Sequence, residues 1–270
     1  MLKTRILLSL ILAVPLLVSI FLLPNHFWEI LVVAALALTG WELLRIAGLN
    51  MSHPSSVVIT MIMLLLLMSG TLLLPVNTQW SIIRIACLLW VGTFFWLATI
   101  NFAQTPKKRN TAFKVVISIL FVLPAMLVFS RLQAISPWLV LALLTLVWVT
   151  DTFAYFVGRK VGGPKLAVSI SPNKTIAGLF GGIAGAIIVA MVWIVGTHQS
   201  LWLLFAAIGL ALVSVAGDLL ASLLKRHAGR KDSSRLLPGH GGLLDRLDSV
   251  LPTAPFFAVV VHYWVLPLSA

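Results

Sequence analysis

Acidic residues, cysteine and long polar stretches are scarce in this chain. Only seven of its 270 residues are Asp or Glu and 60% are hydrophobic, which excludes an ordinary soluble domain. The single cysteine, Cys87, excludes an internal disulfide, and its apolar surroundings predict a packing role. No His or Cys spacing recurs as a ligand pair, so a zinc site is not expected. There is also no internal repeat and no low-complexity tail.

Apolar runs of about 18–22 residues recur along the chain, each long enough to cross a hydrocarbon core roughly 30 Å thick. No small-residue cleavage site precedes Pro24, so we expect the first run to be a retained helix rather than a signal peptide. The second run has the weakest signal, because Glu29, Glu42 and Arg45 crowd its ends. The sequence predicts an all-α integral membrane protein of about nine transmembrane helices. The predicted spans are 5–23, 28–44, 55–75, 80–100, 113–130, 136–156, 176–196, 201–221 and 250–267.

Basic residues are distributed asymmetrically about these spans. With the N-terminus in the cytosol, all Lys and Arg residues except Arg84 and Arg131 fall on the cytosolic side. We therefore predict a cytosolic N-terminus and an external C-terminus. The formal charge of +12 then belongs to loops that face anionic lipid, and nucleic acid is not an expected partner.

The aspartates divide the chain into two regions. All five fall in or near two basic segments of the C-terminal half, at the predicted cytosolic face. We assign 1–135 to N-terminal transmembrane helices that serve as scaffold and possible lipid entry. Residues 136–270 are the predicted catalytic region, with cytosolic loops 157–175 and 222–249 converging on one site.

The signature stretch, residues 222–248, reads SLLKRHAGRKDSSRLLPGHGGLLDRLD and has the highest density of ionisable groups. Basic side chains and glycine N–H groups suit phosphates, and carboxylates suit a divalent metal. Asp245 and Asp248, three residues apart, share a helix face and could bind one cation together. The alternative is that they complement the helix dipole, with Arg246 as their ion-pair partner.

Asp218, just upstream, lies in an apolar run where an unpaired carboxylate is costly, which favours a functional role. The alternative is a salt bridge to Lys225 or Arg226, two helical turns further on. Ahead of Asp245, Gly241 and Gly242 predict an anion site near a helix start. His240 is interpreted as a phosphate contact or a structural residue rather than a general base.

The segment from Asp151 to Thr175 supplies a second set of polar residues. Lys174 and Thr175 directly precede a predicted span, where an ammonium and a hydroxyl suit a phosphate. The alternative is a helix cap with a snorkelling lysine. Tyr155, four residues after Asp151, is either an interfacial residue or a substrate contact.

The signature stretch resembles that of the phosphatidate cytidylyltransferases, or CDP-diacylglycerol synthases. That signature reads S-x-apolar-K-R-x4-K-D-x-small-x2-apolar-P-x-H-G-G-apolar-x-D-R-apolar-D, and this chain matches it throughout. The similarity continues upstream in G-D at 217–218, S-P-x-K-T at 171–175, G-G at 181–182 and D-x-x-A-Y-x-x-G at 151–158, and covers roughly residues 145–255.

The resemblance implies an activity. This is the reaction of CTP with phosphatidate, giving CDP-diacylglycerol and pyrophosphate, at the cytosolic face of a bacterial inner membrane. It also implies dependence on Mg²⁺ in a dinuclear metal site, membrane lipid as surroundings, and a possible homodimer. The implied metal ligands are Asp218 and Asp245, with Asp248 close by. The implied catalytic residues are Asp218, Lys225, Arg226, Asp245, Arg246 and Asp248. The implied substrate- and phosphate-binding residues are Asp151, Tyr155, Ser171, Lys174, Thr175, Ser222, Lys231, Asp232, His240, Gly241 and Gly242.

Three positions depart from the family pattern. Ile176 and Ala177 replace W-E or W-Q, and Ala221 replaces an acid. A catalytically weakened or silent paralogue is therefore an alternative, as is a CTP-dependent lipid-alcohol kinase. A transporter is disfavoured, because its charges would lie near the bilayer midplane in two related halves.

Overall fold

A computed structural model describes residues 13–49, 73–99, 111–236 and 241–265, together with isolated positions between 58 and 69. Apart from one short hairpin, the regular structure of these residues is helical. The helices are α1 (Ala13–Leu22), α2 (Asn25–Ala47), α3 (Val76–Thr99), α4 (Thr111–Ile135), α5 (Pro137–Val161), α6 (Ile176–Thr197), α7 (Trp202–His227), α8 (Leu244–Leu247) and α9 (Val250–Val260). The hairpin strands are β1 (Lys165–Ala167) and β2 (Ser171–Thr175), between α5 and α6.

Among the described residues, six helices, α2 to α7, are long and apolar enough to cross a membrane. They correspond to the predicted spans 28–44, 80–100, 113–130, 136–156, 176–196 and 201–221, so an all-α multi-pass membrane protein is confirmed. The first predicted span lies partly within α1, and the third falls largely outside the described residues. The ninth is represented by the 11-residue α9, which continues as a π-helical turn over Val261–Val265.

Helix α2, which had the weakest sequence signal of the predicted spans, ends in a glycine cap. Gly48 takes a left-handed conformation with φ of 95°, and its N–H caps the preceding carbonyls. Arg45 in the last turn complements the negative end of the helix dipole. The helix packs against α4, and the Trp28 indole donates to the Phe129 carbonyl at 3.1 Å. Leu43, Ile46 and Ala47 are buried, so the last turn of α2 also lies inside the bundle.

Helices α5 and α6 pack closely along four glycines of α6, Gly178, Gly181, Gly182 and Gly185. A Cβ atom at Gly181 would lie 2.5 Å from the Cβ of Val157. This close contact holds the end of α5 against the start of α6.

The polar segments after α5 and α7 are more ordered than their sequences predict. Helix α5 runs to Val161, and the chain then forms the antiparallel hairpin, with Lys165 opposite Thr175. Helix α7 continues to His227, so the first six residues of the predicted loop 222–249 are helical. The hairpin and the end of α7 therefore meet at one end of the bundle.

Candidate active site

A pocket of about 720 Å³ lies where α5, the hairpin, α6, α7 and α8 meet. Four of the five aspartates line it, although they come from three separate parts of the chain. Seven of the predicted site residues line this pocket: Asp151, Tyr155, Lys174, Thr175, Asp218, Asp245 and Asp248. The two polar segments are thus brought together.

Asp218 and Lys174 form the first charged pair of the pocket. The Lys174 ammonium, from β2, lies 2.6 Å from a carboxylate oxygen of Asp218 on α7. Ser222, one turn after Asp218, donates to the other oxygen at 3.3 Å. The ion-pair partner of Asp218 is therefore Lys174, which the hairpin brings into place, and not Lys225 or Arg226.

Lys225 contacts two further carboxylates of the pocket, those of Asp245 and Asp248. Its ammonium donates to Asp245 at 2.7 Å and lies 3.7 Å from Asp248. All three side chains are about nine-tenths buried, with 9%, 10% and 13% of their areas exposed. The Lys225 ammonium, which lies behind the pocket wall, thus neutralises part of the charge of the two carboxylates.

The environments of Asp245 and Asp248 differ. Burial raises the pKa of the Asp245 carboxyl, but the Lys225 ammonium and the N–H groups of Gly242 and Ser233 outweigh it and hold this pKa below its ordinary value. Burial, and then the Asp218 carboxylate, hold the pKa of Asp248 well above its ordinary value. Asp248 therefore retains a proton more readily than Asp245, and a cation bound there would compete with that proton.

The turn before α8 binds carboxylates of the protein. Gly241 and Gly242 were expected to present N–H groups to a substrate phosphate, but the Gly242 N–H donates to Asp245 at 2.9 Å. The next two N–H groups, of Leu243 and Leu244, also meet protein carboxylate oxygens. The anions that this turn binds are therefore carboxylates of the chain itself.

The second of these carboxylates is Glu42, from the distant helix α2. It is fully buried, and its Oε2 accepts from the Leu244 N–H at 2.7 Å and from the Ser233 hydroxyl at 2.9 Å. Its Oε1 accepts from the Leu243 N–H at 3.1 Å and from the Ser234 hydroxyl. The N-terminal half therefore contacts the signature stretch directly.

Sequence reasoning named Glu42 only as a charge near the end of a weak span, and it passed over Ser233. The high cost of an unpaired carboxylate within an apolar helix was the signal that could have found Glu42. It also missed Arg159, Lys165 and Asn173, which line the pocket. Arg159 lies one turn after Tyr155 and donates to its hydroxyl at 3.0 Å.

The other predicted residues lie outside the pocket lining. Arg226 donates through Nε to the Ile170 carbonyl at 3.2 Å. Thr175, which does line the pocket, caps α6 by accepting from the Gly178 N–H at 3.0 Å. Ser171 lies in β2, paired with Ala167. Arg246, Lys231 and Asp232 are exposed, and His240 is outside the described residues.

The carboxylates of the pocket suit a hard cation such as Mg²⁺, which prefers oxygen ligands. Among the described residues, however, no three Asp, Glu, His or Cys side chains form a ready metal cluster. One or two protein carboxylates are sufficient for a Mg²⁺ ion that takes its other ligands from water and phosphates. The donor chemistry of the pocket therefore fits a magnesium ion that binds together with a phosphate-bearing substrate.

Comparison with known proteins agrees with the chemistry of the pocket. The phosphatidate cytidylyltransferase of Pseudomonas aeruginosa is 33% identical over 275 residues, covering 97% of each chain. That of Haemophilus influenzae is 31% identical over 291 residues, covering 98% of this chain and all of the relative. That of Staphylococcus epidermidis is 49% identical over 119 residues, 43% of this chain and 46% of the relative. Residues 3–264 match the model of the cytidylyltransferase family. The chain is therefore a member of the cytidylyltransferase family.

Proposed function

We propose that this protein transfers the cytidylyl group of CTP to phosphatidate, producing CDP-diacylglycerol and pyrophosphate within a membrane. The observation that carries the proposal is the pocket in which Asp218, Asp245 and Asp248 meet Lys174, between helices long enough to span a bilayer. Oxygen ligands for a metal and an ammonium for phosphates thus lie beside apolar helices that suit a lipid substrate.

The reaction requires an in-line displacement at phosphorus. A phosphate oxygen of phosphatidate attacks the α-phosphorus of CTP, and the bond to the oxygen that bridges to the β-phosphorus breaks. Pyrophosphate leaves with that bonding electron pair. Because the nucleophile is already an anion, no strong general base is needed, and catalysis consists mainly of positioning and charge neutralisation.

The pocket provides cations for this task. Lys174, Arg159 and Lys165 line it and are proposed to bind phosphate oxygens of the two substrates. Lys174 pairs with Asp218 in the structure, and we propose that it turns to a phosphate when the substrate binds. Tyr155, held by Arg159, lies at the pocket wall as a candidate substrate contact.

Asp218, Asp245 and Asp248 are the proposed ligands of Mg²⁺, in a site that the family resemblance makes dinuclear. Bound metal would supply neutralisation of the charge that develops on the transferring phosphate. Lys225 lies behind Asp245 and Asp248 and orients both carboxylates toward the pocket. We further propose that the pocket faces the cytosol of a bacterial inner membrane, with the N-terminus also in the cytosol, and that two copies form a homodimer.

Product analysis tests the activity. Purified protein is incubated with labelled CTP and phosphatidate, with Mg²⁺ or with EDTA, and lipid and water-soluble products are separated. We expect CDP-diacylglycerol and pyrophosphate only with the metal, and loss of both in Asp245→Asn. The matched control is Glu29→Gln on α2, which changes an acid outside the pocket and should preserve activity.

Two other outcomes would redirect the proposal. Release of CDP with a phosphorylated lipid would establish a kinase instead. A folded protein that forms neither product would point to a silent paralogue, for which Ala177 and Ala221 are the notable departures. Ala221 is fully buried, one turn after Asp218 on α7.

A further inference from the structure

We propose that Glu42 is a positioning residue for Asp245, acting through Ser233 and the turn that starts α8. The inference deepens the proposed function and rests on it, because Asp245 is there a metal ligand. Glu42 is not itself close to the substrates, since it does not line the pocket.

The first connection runs through one hydroxyl. The Ser233 Oγ lies 2.9 Å from Oε2 of Glu42 and 3.0 Å from Oδ2 of Asp245. The Ser233 backbone N–H also donates to that Asp245 oxygen, at 2.9 Å. Ser233 is fully buried, so no water competes for these contacts. A displacement of Glu42 is therefore transmitted through Ser233 to the metal-ligand carboxylate.

The second connection runs through the backbone. Glu42 accepts the N–H groups of Leu243 and Leu244, and Asp245 accepts the N–H of Gly242, so the two carboxylates share one turn. Helix α8 has only four residues, too few to fix its own direction by internal hydrogen bonding. The orientation of Asp245 on it is therefore set by the acceptors that hold its first turn.

Close packing makes this arrangement specific. A Cβ atom at Gly242 would lie 2.0 Å from the Ser233 Oγ and 2.2 Å from the Glu42 Oε1. No other residue type fits between the turn and Glu42 without displacement. The turn can approach the carboxylate this closely only because glycine is there.

The donor pattern predicts that an amide cannot replace the carboxylate. Each oxygen of Glu42 receives one backbone N–H and one serine hydroxyl. A serine hydroxyl can rotate to accept from an amide nitrogen, but a backbone N–H cannot. In Glu42→Gln the NH₂ group therefore faces a backbone N–H in either orientation, and the turn must shift.

The test compares two serines that both donate to Glu42. Ser233→Ala removes the hydroxyl that contacts Asp245 as well, whereas Ser234→Ala removes one that contacts Glu42 and the Leu236 N–H but not Asp245. Glu42→Gln is compared with Glu29→Gln, the same change about 20 Å away on the same helix at 1.5 Å per residue. The readouts are kcat, KM for CTP, Mn²⁺ binding by electron paramagnetic resonance, and thermal stability.

We expect Ser233→Ala and Glu42→Gln to lower kcat by about 10–100-fold and to weaken Mn²⁺ binding to a similar degree, with KM for CTP nearly unchanged. Glu29→Gln should retain wild-type values. Ser234→Ala should lower kcat and Mn²⁺ affinity much less than Ser233→Ala does, because Ser234 contacts Glu42 but not Asp245. The double variant Glu42→Gln with Ser233→Ala should lose less than the sum of the two single losses, because both changes act on the position of the same Asp245 carboxylate.

Three results would overturn the proposal. These are equal kcat and Mn²⁺ affinity in the two serine variants, a loss confined to thermal stability, or fully additive losses in the double variant. If Glu42→Gln does not fold, the comparison of Ser233→Ala with Ser234→Ala decides.

If the wild type forms no CDP-diacylglycerol but binds Mn²⁺, the proposed function fails, while the Mn²⁺ affinities of the variants still decide this inference. If it does neither, both proposals are overturned.

Discussion

Replacing Lys225 with methionine should destabilise the protein strongly when no divalent metal is present. Methionine keeps the length of the side chain and favours a helix, so the main change is loss of the ammonium between Asp245 and Asp248. The three side chains are 9–13% exposed. Removal of one partner from a buried ion pair costs about 3–5 kcal/mol, because the remaining charges stay buried without compensation.

This loss can be measured by thermal unfolding in detergent. For a chain of this size, 3–5 kcal/mol corresponds to a fall in Tm on the order of 10 °C. The ten tryptophans give a fluorescence signal, and EDTA removes divalent ions. Addition of Mg²⁺ should restore part of the Tm of Lys225→Met, because a cation that binds the folded carboxylates stabilises the native state. Combining Lys225→Met with Asp245→Asn should also recover stability, since one buried charge is then removed.

Lys174→Met provides the matched control. Its ion pair with Asp218 is as short, 2.6 Å, but the two side chains are 25% and 27% exposed, so solvent screens the interaction. We expect a loss of about 1 kcal/mol or less. Equal Tm values for Lys225→Met and the wild type in EDTA, or equal losses in the two lysine variants, would refute the reasoning from burial.

Further predictions concern packing and substrate binding. Gly242→Ala should cost about 1–3 kcal/mol of stability, measured by the same unfolding assay, and most of the activity, because its Cβ would overlap the Ser233 hydroxyl. Gly181→Ala should cost a similar amount of stability by separating α5 from α6. Gly196→Ala, on the same helix but next to open space, should be neutral or stabilising. Thermal unfolding distinguishes the two variants. In steady-state kinetics, Lys174→Met should raise KM for CTP, whereas the exposed Arg235→Met should leave it unchanged.

Much of the pocket was predictable because its residues lie in short patterned segments. Asp245 and Asp248 are three residues apart, and the helix period alone brings both to one side. Asp218 was identifiable because a carboxylate in an apolar run needs a partner. The six helices assigned as spans follow from apolar length, and even the weak second span formed.

The partners of these residues were less predictable. Sequence proximity predicted Lys225 or Arg226 as the ion-pair partner of Asp218, but the hairpin places Lys174 there instead. Lys225 pairs with Asp245 and Asp248. The periodicity of the sequence does not indicate that the β1–β2 hairpin folds back over the end of α7. The predicted helix cap at Thr175, by contrast, is local, and the structure contains it.

The acceptor of the Gly242 N–H was unpredictable for a related reason. A glycine turn before a helix predicts bound anions, and the anions that this turn holds in the structure are two side chains of the protein, Asp245 and Glu42. The chain position of Glu42 gives no sign that it meets this turn. Long-range contacts of this kind depend on the packed bundle and not on any local pattern.

The contact between Glu42 and the signature stretch also constrains how the protein is made. Its partners Ser233 and Leu244 follow Glu42 by 191 and 202 residues. At a synthesis rate of about 5–20 residues per second, α2 enters the membrane roughly 10–40 s before these partners exist. During that interval the Glu42 carboxylate, near the end of its helix, must be solvated by water or lipid head groups. The last turn of α2 therefore docks late in biogenesis, and truncated nascent chains should leave it accessible until the signature stretch emerges from the ribosome.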